Sequence, residues 1–304
     1  MSRSVLHRIG VSIGVIFGAV TLVFLILHWL PGDPAQLVAG SDASDETVAR
    51  VRAQLGTGQP LGIQYVHYLE ALAHGDLGES YVTHERVLDK LAAQLPATAT
   101  LTLAACALAV VLGVSFGVLA ARRAGGWVDQ AIQWGALALH AMPGFWLGIL
   151  LILVFSVSLR WLPVIGDSPL ALILPVISLG LVVAVPIMRV VRDGMLDGLH
   201  EPYVTTLRAK GLSEGRIFYV HVLRNTLIPA VTLLGVSLGE LISSAVVIET
   251  LYARQGIGRA VVDALTQKDI PVVQGVILLA AVAFVIINLL VDLSYTLIDP
   301  RVRA

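Results

Sequence analysis

Glu240 stands about halfway along an apolar run, in the stretch GVSLGELISSAVV. Ser237 precedes it by three residues and Ser244 follows by four, so helical spacing gathers the three on one side. A carboxylate in hydrocarbon is costly unless it faces protein or water. Two chemistries fit: attraction of a cationic ligand along a water-filled path, or an interhelical hydrogen bond made by an acid that desolvation keeps protonated. Asn288 and Asp292 are four apart, with Tyr295 one turn on, and this spacing suits a structural hydrogen-bond network better than ligand contact. A third group is cationic: RAKGLSEGRIFYVHVLRNTLIP, residues 208–229, holds Arg208, Lys210, Arg216 and Arg224.

Motifs for nucleotide, metal and nucleophile chemistry are missing. There is no GxxxxGK[ST] phosphate loop, no HExxH pair and no GxSxG elbow. GIGR at 256–259 lacks the strand and third glycine of a dinucleotide site. Cys106 is the one cysteine, which excludes an intramolecular disulfide. Eight histidines are scattered; His67, His74 and His84 fall in one polar stretch, where ordinary surface is the simpler reading than a metal patch. The chain is therefore not expected to be an enzyme, to hold a metal or to bind ATP itself.

The elements that position these groups follow from composition. The apolar fraction is 57% and the charged fraction 13%, which is the balance of a membrane protein. The net charge of −1 gives no global field for nucleic acid. A crossing of the hydrocarbon core takes roughly 20 apolar residues, and six segments qualify: 9–30, 97–121, 137–160, 170–190, 228–248 and 273–297. The fold class is all-α and polytopic. Residues 1–30 give the N-terminus and first span, 31–95 a polar region on one membrane face, and 96–304 a five-helix core. The first apolar run exceeds the h-region of a cleavable signal and reads as a retained span. The long run from Gln130 to Leu159 carries Pro143 and Gly144, and reads as one span preceded by a helix near the cytoplasmic interface, broken at that pair. Glycines four apart, such as Gly10, Gly14 and Gly18 or Gly113 and Gly117, read as close helix packing.

Lys and Arg counted over short loops place both termini in the cytoplasm. That side receives Arg3, Arg8, Arg122, Arg123, Arg189, Arg192, Arg208, Lys210, Arg216, Arg224, Arg301 and Arg303; the other receives Arg160, Arg254, Arg259 and Lys268. Residues 193–227 are then the longest cytoplasmic loop. Pro202 suits a helix first turn and Gly211 its C-terminal cap, framing a helix over YVTTLRAK. Ser213 suits the cap of a second helix, with Glu214 in its first turn, running to Pro229 at the entry of the fifth span. The cations alone are explained by topology; a helix, glycine corner and helix also form a surface for a cytoplasmic partner.

YVTTLRAKGL followed by HVLRNTLIP resembles the coupling loop of permease subunits of ATP-binding-cassette importers. LPGDPA at 30–35, HGDLGES at 74–80, IETLYARQGIGRAVVDAL at 248–265, DIPVVQG at 269–275 and NLLVDLSYTLIDPR at 288–301 extend the resemblance over essentially the whole chain, most closely to first permeases of the peptide and nickel subfamily. Thr205, Thr206 and Leu207 stand where the general pattern has a glutamate and alanines, and Gln255 where a proline is often found. The resemblance implies a type I importer fold in a bacterial cytoplasmic membrane, embedded in lipid. It implies a homologous second permease in a heterodimer, two ATPase subunits that bind ATP and Mg, and an extracytoplasmic binding protein. It also implies an ATPase-coupling site at Tyr203, Thr205, Thr206, Leu207, Arg208, Ala209, Lys210, Gly211, Leu212 and Glu214. Peptides are the implied cargo, with a nickel chelate or other small solute as alternative. From a different class, Glu240 and the fourth span's Pro175 and Pro186 also suit an ion-gradient-driven transporter with a broken helix.

Overall fold

The computed structural model describes residues 2–29, 34–40, 43–166 and 168–298; the side chains of 2–9, 34, 37, 54–55 and 291–298 lie outside that description. The chain divides into two units, one of residues 1–97 with 255–285 and one of 98–254 with 286–304.

In the first unit α1 (Ser2–Trp29) is followed by α2 (Pro34–Ala39), α3 (Asp45–Leu55) and α4 (Leu61–Ala73). Ser44 starts α3 by accepting from the Thr47 amide, Asp45 and Glu46 complement its dipole, and Gly56 ends it in the left-handed region. His28 packs its ring, tilted by 35°, against Phe24 and bonds the Phe24 carbonyl and the Gln64 amide oxygen. The unit's core is Leu27, Val87, Leu91, Ile257, Ala260, Ala264, Val272, Val273 and Val276. Buried Asp269 accepts from the Ser80 hydroxyl and, at 3.0 Å, from the Tyr81 amide, pinning the outer loop. Burial, with the Asp269 charge second, pushes the Tyr81 phenol up.

Helix α5 (Val87–Arg122) starts in the first unit and continues into the second. It begins ten residues before the expected span at 97, and Pro96 lies inside it, so the end of the polar 31–95 region is helix. Next come α6 (Trp127–Ala141) and α7 (Gly144–Leu151), the latter prolonged by a π-helical stretch over Ile152–Ser158. The two pass as one candidate crossing only together, bent by 104° at the break that Met142 and Pro143 make. Residues 137–141 belong to the helix before it.

Helix α8 (Pro169–His200) is capped by Ser168, whose hydroxyl accepts from the Ala171 amide. It runs unbroken through Pro175 and Pro186, which corrects the expected interruption; in a packed membrane helix neighbouring groups absorb a proline's missing bond. It also carries eight residues of the expected loop, 193–200. Helix α9 (Pro202–Ala209) follows after Glu201. The short α10 (Glu214–Arg216), a π turn over Ile217–Val222 and α11 (Leu223–Leu251) then form one continuous rod. Pro229, expected at the entry of the fifth span, lies inside this rod. Helices α12 (Ile257–Thr266) and α13 (Ile270–Ile298) complete the chain. Among the described residues five helices are long and apolar enough to cross a membrane, and the bent α6–α7 pair brings the number to six when counted as one broken span.

The second unit's core joins α5, α8, α9 and α11 through Leu101, Leu174, Ile187, Val191, Met195, Val204, Ile217, Leu241 and Ile248. Gly113 and Gly117 allow it: a Cβ on Gly117 would lie 2.8 Å from the Met188 carbonyl, so α5 and α8 touch backbone to backbone.

Candidate functional site

Helix α9 is fixed from below. Val204 is fully buried, and Tyr203 and Leu207 are half-buried against the same core. Pro202, Thr205, Thr206, Arg208, Ala209, Lys210, Gly211 and Glu214 are exposed. The expected coupling residues thus separate into an inner row of Tyr203, Leu207 and Leu212 and an outer face made by the rest.

The corner is a Schellman cap. Gly211, at φ +79°, sends its amide to the Arg208 carbonyl at 2.9 Å, and the Leu212 amide reaches the Leu207 carbonyl at 3.2 Å. Leu212 and Leu207 both rest on the core. Ser213 occupies the cap position of α10, but its side chain makes no cap bond, a correction to the expected hydroxyl cap. Glu214 instead receives the Arg208 fork, Nε to Oε1 at 2.7 Å and Nη2 to Oε2 at 3.1 Å, tying the two sides of the corner together. That pair raises the Arg208 pKa further above its ordinary value.

A second cytoplasmic feature had no counterpart in the sequence reading. Asp129 on α6 is 2% exposed and takes both arms of Arg192 on α8, at 2.7 and 2.9 Å. The Gly125 amide and the Gln133 side chain complete its shell, and the third Arg192 nitrogen reaches Asp193 at 2.8 Å. This is a bidentate, charge-assisted clamp between the helix before the bend and the stem of α9.

Within the membrane, α11 presents Glu240 and Ser244 on its exposed face, whereas Ser237 is 2% exposed and points into the core. The expected three-residue stripe is therefore two residues long, because 60° of helical rotation is enough to turn Ser237 inward. Ser244 lines a cavity of about 220 Å³ with Gly144, Phe145, Val182, Leu241 and Val247. Above it, Tyr252 joins Ser178 at 2.9 Å and donates to the Gly148 carbonyl at 3.2 Å, locking α7, α8 and α11 together. Glu249, which sequence reasoning passed over, is fully buried and accepts from the Thr98 hydroxyl at 2.6 Å. Asn288 is exposed on α13; Asp292 and Tyr295 share that helix, but their side chains lie outside the described residues. So do Arg301 and Arg303 and the first four residues of LPGDPA. No group of three or more metal-ligating side chains occurs among the described residues.

Comparison with known proteins agrees with this architecture. The family model for the binding-protein-dependent transport system inner membrane component matches residues 113–304, and the model for the N-terminal region of such membrane components matches 1–102. The probable peptide ABC transporter permease y4tP of Sinorhizobium fredii is 40% identical over 312 residues, covering all of both chains. The glutathione transport system permease GsiC of Escherichia coli K12 is 41% identical over 304 residues, covering all of this chain and 99% of the other. A crystal form of the inward-facing MetNI methionine ABC transporter shares the fold at a TM-score of 0.56 and 17% identity, covering 70% of this chain and 97% of that one. The chain therefore belongs to the inner membrane components of binding-protein-dependent transport systems, as a multi-pass permease subunit with a type I importer fold.

Proposed function

We propose that this subunit forms, with a homologous second permease, a path for peptides, and that the outer face of α9 seats in one of two cytoplasmic ATPase subunits. ATP and Mg belong to those subunits, and a loaded extracytoplasmic binding protein delivers the cargo. The observation that carries the reading is the two-sidedness of α9: an apolar row sunk in the core and a polar, cationic face turned outward. Only one residue, Glu201, separates α9 from the 32-residue α8, so a push on the outer face travels along α8. The Asp129–Arg192 clamp passes it to α6 and the bend before α7. Two states of the bundle, biased by ATPases and binding protein, give alternating access.

Peptide cargo rests on the names of the relatives, a peptide permease and a glutathione permease. The cavity beside Ser244, with Glu240 one turn toward the cytoplasm, is the segment of path we assign. A carboxylate there attracts a peptide amino terminus. Gly211→Pro tests the coupling, because proline cannot adopt φ +79°. The protein should remain in the membrane with substrate-stimulated ATP hydrolysis abolished; normal stimulation would contradict the assignment.

A further inference from the structure

Arg189 lies two turns from Val182 along the same face of α8, at the cytoplasmic end of its apolar stretch. It is exposed and enters no hydrogen bond or ion pair among the described residues. It lines a second cavity, of about 400 Å³, with Gln130, Gln133, Trp134, Arg192 and Asp193. The other charges there are engaged: Arg192 holds Asp129 with two nitrogens and Asp193 with the third. The guanidinium fork of Arg189 is thus the uncommitted charge among the residues that line this cavity, seven residues along α8 from Val182 of the Ser244 cavity. Gln130 on the same lining adds an amide, which suits a carboxylate or a carbonyl, while Gln133 is held by Asp129.

The depth of this cation relative to Glu240 can be read from the helices. Val183 of α8 and Leu241 of α11 line one cavity, so Glu240 is level with residue 184 or so. Arg189 is then five residues nearer the cytoplasm, about 7.5 Å at 1.5 Å per residue. An extended dipeptide spans about 7 Å between its ends. One fixed anion and one fixed cation at that separation in depth match a molecule whose ends carry opposite charge.

We propose that Arg189 is a specificity residue, which takes the carboxylate of a peptide whose amino end Glu240 attracts. The idea rests on the peptide path described above. An Arg fork binds a carboxylate with two parallel bonds, which neither a topology-setting cation nor a structural one requires.

The test uses the complete transporter in proteoliposomes, with dialanine, its C-terminal amide and its N-acetyl form as probes at concentrations giving equal occupancy of the binding protein. The wild type should import dialanine about tenfold faster than the amide, the loss expected when a charge-assisted bond is removed. Arg189→Gln should bring the two within about twofold, because amidation then removes nothing the protein uses. Arg189→Lys should restore part of the preference, and Glu240→Gln should erase the preference over the N-acetyl form while keeping that over the amide. Arg189→Gln with the wild-type ratio intact, whether or not both rates fall, overturns the proposal and leaves the peptide reading standing. A wild type that imports none of the three overturns both.

Discussion

Helix α9 and the α6–α8 junction lie at the same membrane face and are built as inversions of each other. At α9 the apolar residue goes inside, with Val204 fully buried, and the cations Arg208 and Lys210 go out. At α6 the charges go inside, with Asp129 and Arg192 at 2% and 18% exposure, and the indoles go out, Trp127 at 79% and Trp134 at 69%. Exposed charges hold little folding energy and remain available to a partner. A buried pair contributes little net stability against an apolar replacement, yet losing one member strands the other, so it fixes geometry. On the proposed coupling, one region is the surface a partner touches and the other transmits the push.

That contrast fails first if the junction tolerates damage. Arg192→Ala leaves Asp129 buried without its partner and should cost about 3 kcal/mol, seen as a lower Tm of the detergent-solubilised transporter. Asp129→Asn, which keeps the shape and the Gly125 bond, should cost less and slow uptake more than ATP hydrolysis. Next in size is Val204→Ala, which opens a cavity under α9 for about 2 kcal/mol and should loosen coupling, read as hydrolysis without matching uptake. Gly211→Ala places a Cβ in the left-handed region and should cost about 1 kcal/mol, with stimulation reduced rather than lost. Smallest is Glu214→Ala: the pair with Arg208 is exposed, so Tm should stay put, and a clear drop would mean the outer face is structural.

Much of this fold was legible because it is local. The six spans, the Pro143–Gly144 break and the α9 corner follow from hydropathy and from proline and glycine placement within a few residues. The buried carboxylates were not. Asp129 reads as an ordinary first-turn acid of an interfacial helix, and Arg192, 63 positions away, as one more topology cation. Glu249 sits near the end of a span, where a headgroup position is the default, and it is buried with the hydroxyl of Thr98, 151 positions off, bonded to it. An acid in an interfacial helix matched by an uncompensated arginine on the next cytoplasmic stretch is the signal that would have found the clamp. The helical lengths of α5 and α8 were underestimated because hydropathy marks where lipid ends, whereas the helices continue past it under packing.

The central claim is that a cytoplasmic ATPase covers the outer face of α9. Thr206→Cys in a Cys106→Ser background puts one thiol on that face, and maleimide labelling in inside-out vesicles reports its access. The account predicts rapid labelling when the permeases are made alone and strong protection once the ATPase subunits are present, released when they are stripped away. Equal labelling rates with and without bound ATPase would contradict it.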